Sequence, residues 1–174
     1  MKKISDLKDC IRSIPDFPKA GILFRDITTL LKDKRAFRQA IDKLTKEFKS
    51  KKPDIVVAVE ARGFILGSVI AHKLGAGFVP VRKKGKLPGR TNSVTYELEY
   101  GTDTLEMHHD ALKPSDKVLI IDDLLATGGT VKAVTELIKQ SGAKIVGIGF
   151  LIELADLKGN DKLKGYPVFS LIKY

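Results

Sequence analysis

Two rhythms of apolar residues alternate along the chain. Short apolar runs at 54–59 (DIVVAV), 77–81 (GFVPV), 117–122 (KVLIID) and 143–152 (AKIVGIGFLI) have the length and β-branched content of buried strands. A fifth strand is expected at 166–172 (YPVFSLI). Between them the apolar positions recur at helical spacing. Phe37, Ile41, Leu44 and Phe48 form one stripe of KRAFRQAIDKLTKEFKS, and Val131, Val134, Leu137 and Ile138 form another in TVKAVTELIKQSG. GFILGSVIAHKLG, ending at Gly75, is a third helix, whose Gly63 and Gly67 at GxxxG spacing are expected to allow close packing. Strands alternating with helices predict an α/β domain with a parallel sheet flanked by helices.

One segment breaks the rhythm. Residues 82–112 are polar, basic at their start and punctuated by glycines and Pro88, and their second half alternates around YGTD: Val94, Tyr96 and Leu98, then Leu105 and Met107. That pattern predicts a two-stranded hairpin. A long excursion rooted between two core strands suits a lid over a site.

The length of 174 residues fits one domain, 1–174, and 43% hydrophobic with 30% charged residues is ordinary for a globular protein. No apolar run is long enough to cross a bilayer, and the start MKKISDLKDC has aspartates where a signal peptide needs an apolar block. With Cys10 as the sole cysteine, no disulfide forms within the chain, and a cytoplasmic setting is expected. The net charge of +10 is mostly lysine spread along the sequence, which reads as a solvated surface rather than a nucleic-acid patch. Neither GxxxxGK[ST] nor GxGxxG occurs, and His72, His108 and His109 lack metal-site spacing.

In open parallel sheets ligands bind beyond the carboxyl ends of the strands. Three such junctions carry chemistry. After the third strand, Asp122 and Asp123 precede Ala126, Thr127, Gly128, Gly129 and Thr130, which open a helix. Glycines let backbone amides approach an anion closely, and the amides of a helix start attract a phosphate. The paired carboxylates suit ribose hydroxyls or a hydrated Mg²⁺ beside that phosphate. After the first strand, Arg62 at a helix start offers a forked cation to a polyphosphate. In the hairpin segment, Arg82, Lys83, Lys84, Lys86 and Arg90 form a cationic cluster suited to a leaving diphosphate, and Glu97 and Glu99 project from one face of the predicted hairpin. Near the start, Phe24 within ILFRD offers a stacking surface for a planar base.

These stretches, VLIIDDLLATGGT, PDFPKAGILFRDITTLLKD, VEARGF, RKKGKLPG and ELEYGTDTLEMHHDAL, together resemble the type I phosphoribosyltransferases, in that family's order and over nearly the whole chain. The resemblance is to the adenine-using branch. It implies a parallel sheet with a small N-terminal hood, 1–34, that binds the base, and a flexible β-hairpin lid, 82–112. It also implies transfer of 5-phosphoribosyl from phosphoribosyl pyrophosphate to adenine, with Mg²⁺ carried mainly by the substrate, in a homodimer. By resemblance, Glu60, Ala61 and Arg62 form the pyrophosphate loop, with a cis peptide between Glu60 and Ala61, assisted by Arg82, Lys83 and Lys86. Glu99 is implied to reach the base, Phe24 to stack on it opposite Leu154, and the backbone near Leu23 and Arg25 to read its edge. A phosphoribosyltransferase for a 6-oxopurine, and a non-catalytic sensor of phosphoribosyl pyrophosphate, are the alternatives.

Overall fold

The computed structural model describes residues 6–97 and 101–174. It divides into two compact units, one reaching to Lys43 and the other running from Leu44 to Tyr174.

The first unit holds two short antiparallel strands, β1 (Arg12–Ile14) and β2 (Phe24–Asp26), followed by α1 (Thr28–Lys32) and the start of α2 (Lys34–Phe48). Three-residue strands with charged positions leave no periodicity to read, so this pair is a finding of the structure. Asp26 is its fastening. Its carboxylate receives the Arg12 guanidinium in an ion pair and accepts hydrogen bonds from the Thr28 amide at 2.9 Å and hydroxyl at 2.8 Å. The Arg12 guanidinium and those Thr28 bonds lower its pKa to about 2.

The second unit is built on β3 (Ile55–Val59), α3 (Arg62–Leu74), β4 (Gly77–Lys83), β5 (Thr91–Glu97), β6 (Thr102–His108), β7 (Lys117–Leu125), α4 (Gly129–Gln140), β8 (Lys144–Glu153) and β9 (Val168–Lys173). They form one seven-stranded sheet in the order β5-β6-β4-β3-β7-β8-β9. The five strands β4, β3, β7, β8 and β9 are parallel, while β6 pairs antiparallel with both β4 and β5. All five predicted core strands are present.

Register explains the packing. Val57 stands opposite Val79 and Ile120, and Ile120 opposite Ile148, so one face presents a continuous row of branched side chains. The buried stripe of α4, Val131, Val134, Leu137 and Ile138, belongs to the same core. On the other face, a Cβ at Gly67 would fall 2.7 Å from the Ala58 Cβ, so glycine lets α3 lie directly on β3. The Phe48 ring closes on Gly147 and Gly149 of β8 in the same way, with Cβ positions 2.6 and 2.7 Å from its carbons.

The predicted hairpin is β5 and β6, joined in register from Thr91↔His108 to Glu97↔Thr102. It is rooted in the core, because Leu105 and Met107 are each 1% exposed and Arg82 and Lys83 pair with Glu106 and Leu105. Lys83 also forms an ion pair with Asp103 at 2.9 Å. Two of the three histidines serve this excursion, with a His108 Nε2 contact to the Pro88 carbonyl at 2.8 Å and a His109 Nδ1 contact to the Arg90 carbonyl at 3.4 Å, while His72 lies in α3.

Candidate active site

The structure runs β7 farther than the apolar run predicts. The strand includes Asp122 and Asp123 and continues to Leu125, because Leu124 and Leu125 pair with Ile152 and Glu153 of β8. The two aspartates therefore sit in a rigid strand rather than on the loop after it, and both are under a tenth exposed. Burial raises the pKa of each. At Asp122 the neighbouring Asp123 charge adds to that rise, whereas at Asp123 the Arg62 guanidinium opposes it.

Around them lies a cleft of about 270 Å³ lined by residues 59–62 and 122–131. Two helices begin on it. At α3 the N-cap is Ala61, and at α4 it is Gly128, held at φ 77°; neither has a capping side chain. Neither N-cap supplies a side-chain acceptor to its helix, and both positive dipole ends meet the cleft. A Cβ at Gly63 would lie 2.8 Å from Asp122 Oδ1, so the first turn of α3 is packed against that carboxylate. Arg62 Nε donates to Asp123 Oδ2 at 2.9 Å, and the Asp123 amide donates to Asp122 Oδ1 at 2.9 Å.

The peptide between Glu60 and Ala61 is cis, as the resemblance implies. The Glu60 side chain turns to its own chain: Arg82 Nε and Nη2 donate to Oε2 at 3.0 and 2.9 Å, and the Lys83 amide donates to Oε1 at 2.6 Å. Burial opposes this charge, but the Lys83 amide and Arg82 hold the carboxyl below its ordinary pKa. Arg82 also donates to the Lys86 carbonyl at 2.9 Å. Glu60 thus ties the cis-peptide loop to the end of β4 and the start of the basic turn. The grouping of these residues was legible in the sequence, but the locking of Glu60 onto Arg82 was not.

The remaining expected residues are spread over the two units. Leu23, Phe24 and Arg25 lie in the first, where Leu23 is 47% exposed and Phe24 meets Phe17 edge-on at 5.1 Å between ring centres. Leu154, half-buried, lies in the second directly after β8, its amide donating to the Leu125 carbonyl at 2.9 Å. Glu99 and Leu98 lie outside the described residues. The sequence reading missed Gly159, which is buried against the Ala126–Gly128 backbone; its only cue was a glycine in a lysine-rich loop.

Mg²⁺ fits this donor set. Two buried carboxylates stand side by side, one of them paired with the Arg62 guanidinium, and both offer hard oxygen donors. Among the described residues no group of three or more His, Cys, Asp or Glu side chains is placed to hold a metal, so an ion here would take most of its ligands from substrate and water.

Comparison with known proteins converges on one family. The phosphoribosyl transferase domain model matches residues 27–173. An adenine phosphoribosyltransferase of Desulfitobacterium hafniense is 58% identical over 172 residues, 99% of each chain. The crystal structure of adenine phosphoribosyltransferase from Thermoanaerobacter pseudethanolicus superposes with a TM-score of 0.94 at 54% identity, covering 97% of this chain and 98% of that one. The Saccharomyces cerevisiae enzyme, solved with an imino-altritol bisphosphate and adenine, superposes at 0.89 with 43% identity over 95% and 96% of the two chains. The chain belongs to the adenine phosphoribosyltransferase family.

Proposed function

We propose that the protein transfers the 5-phosphoribosyl group of phosphoribosyl pyrophosphate to adenine, releasing AMP and pyrophosphate. The observation that carries the chemistry is one cleft in which two uncapped helix N-termini meet two buried carboxylates and an arginine. A substrate with a phosphate at one end of a ribose and a diphosphate at the other matches that pattern. The base is assigned by kinship with the adenine enzymes.

Each residue then has a task. Residues 126–130 receive the 5′-phosphate on the α4 amides, with Thr127 and Thr130 as additional hydroxyl donors. Asp122 and Asp123 hold the ribose hydroxyls and, with water, would hold Mg²⁺, which when bound supplies charge neutralisation at the diphosphate. Arg62 and the α3 amides, with Lys83 and Lys86 near the basic turn, draw off the departing diphosphate. Glu60 positions Arg82 rather than touching the substrate. The anomeric carbon becomes cation-like as the diphosphate leaves, so excluding water protects it from hydrolysis. In this reading Phe24 stacks on the base, the backbone at Leu23 and Arg25 reads its edge, and Glu99 serves as proton donor or hydrogen-bond partner. Homodimeric assembly and a cytoplasmic setting belong to the same reading. No helix among the described residues is long and apolar enough to cross a membrane.

The test is a purine panel. With phosphoribosyl pyrophosphate and Mg²⁺, pyrophosphate release is expected with adenine and not with hypoxanthine, guanine or xanthine. Turnover confined to a 6-oxopurine would replace adenine in the proposal, and silence with every base would leave the non-catalytic sensor.

A further inference from the structure

The phosphate loop is braced from outside by bare backbone. After β8 the chain passes through short 3-10 turns at Ala155–Leu157 and Gly159–Leu163, and the first residue of the second turn returns to the loop. A Cβ on Gly159 would fall 2.1 Å from the Ala126 carbonyl oxygen and 2.9 Å from the Gly128 amide nitrogen. Reciprocally, a Cβ on Gly128 would fall 2.4 Å from the Gly159 carbonyl oxygen. The two backbones touch with no side chain between them. Gly159 is buried and is not among the positive-φ glycines, so its conformation suits any residue and only the contact demands glycine. The same connection is anchored to the strand feeding the loop, through the Leu154 amide on the Leu125 carbonyl at 2.9 Å.

We propose that Gly159 is a positioning residue for the sugar phosphate: its backbone fixes the Ala126 carbonyl and the Gly128 amide, and so the cradle that flanks Thr127. This rests on the reading that residues 126–130 take the 5′-phosphate. A methyl group at 159 meets backbone on the loop side, so the loop itself must move. An amide cradle displaced by a fraction of an ångström loses anion affinity without disturbing a base bound elsewhere.

The experiment compares Gly159→Ala with Gly165→Ala. Gly165, at φ 96° with no atom within 4 Å of its Cβ position, lies in the same connection; alanine there strains the backbone without touching the loop. In Gly159→Ala the KM for phosphoribosyl pyrophosphate should rise about tenfold or more while the KM for adenine stays within about twofold. In Gly165→Ala both should stay near wild type while the melting temperature falls. An unchanged phosphoribosyl pyrophosphate KM in Gly159→Ala, or equal rises for both substrates, would overturn the proposal. Should Gly159→Ala fail to fold, amide exchange in the wild-type protein decides. Ribose 5-phosphate should slow exchange at 158–161 together with 126–130. Protection of 126–130 alone overturns the role of Gly159, whereas protection of neither overturns the reading of the loop as the phosphate site.

Discussion

Arg62 and Asp123 form an ion pair at 2.9 Å that joins the first residue of α3 to the strand β7 inside the cleft. The cation expected to draw off pyrophosphate is therefore held in place by the carboxylate expected to serve the ribose. Arg62 does two jobs at once, orienting a donor fork toward the cleft and offsetting a buried negative charge.

Replacing Arg62 separates these jobs from simple folding. Arg62→Lys keeps the charge but loses the fork, and should lower kcat/KM for phosphoribosyl pyrophosphate by about 10-fold, with about 10²-fold for Arg62→Ala. The KM for adenine should change little. Steady-state kinetics with each substrate varied in turn measure the split.

The carboxylates themselves give a sharper loss. Asp122→Asn and Asp123→Asn preserve shape while removing charge, and each should reduce kcat/KM by about 10² or more. Asp122→Asn should be at least as thermally stable as wild type, because burial and the Asp123 charge disfavour the charged form there, whereas Asp123→Asn also breaks the ion pair with Arg62. Turnover near wild type in either variant would remove that residue from the reaction; thermal melts supply the second readout.

Two glycines of α3 predict opposite outcomes. A methyl group at Gly63 meets Asp122 Oδ1 at 2.8 Å and the Ile121 carbonyl at 3.3 Å, so Gly63→Ala should shift the head of the helix and depress activity. At Gly67 the neighbours are the Ala58 and Phe78 side chains at 2.7 and 3.3 Å, so Gly67→Ala should cost about 1–3 kcal/mol of stability through overpacking while the remaining folded enzyme keeps its KM values. Denaturant melts alongside kinetics check both.

Asp26 sets an acid limit on stability. Its folded pKa near 2 lies below the ordinary value of 3.8, so its stabilisation is present in full above about pH 4 and is lost as the pH falls through the folded value. Asp26 is 6% exposed but Arg12 is largely solvated, which reduces the contribution to about 1–2 kcal/mol. Asp26→Asn should lower the neutral melting temperature by several degrees and flatten the loss of stability between about pH 4 and pH 2. Melting curves over that range would show it.

Much of this architecture was legible because a parallel sheet buried on both faces writes itself as apolar runs, and DIVVAV, KVLIID and AKIVGIGFLI each became a strand. The strand boundary at Asp122 was misplaced because two adjacent carboxylates look like a strand end, whereas pairing of Leu124 and Leu125 with β8 carries the strand past them. Gly147 and Gly149 looked like ordinary strand residues. Their reason is the Phe48 ring, from a helix roughly a hundred residues earlier in the chain, and no local pattern records such a contact. Gly159 was illegible for the same reason. The engagement of Glu60 with Arg82 depends on where β3 and β4 end relative to one another, which register decides and composition does not.

The most direct measurement is the phosphorus balance of a single reaction. Phosphoribosyl pyrophosphate, Mg²⁺, adenine and enzyme are followed by ³¹P NMR. Loss of substrate should be matched one-for-one by AMP and pyrophosphate, only when adenine is present. Persistence of phosphoribosyl pyrophosphate, or its breakdown to ribose 5-phosphate without AMP, would contradict phosphoribosyl transfer to adenine.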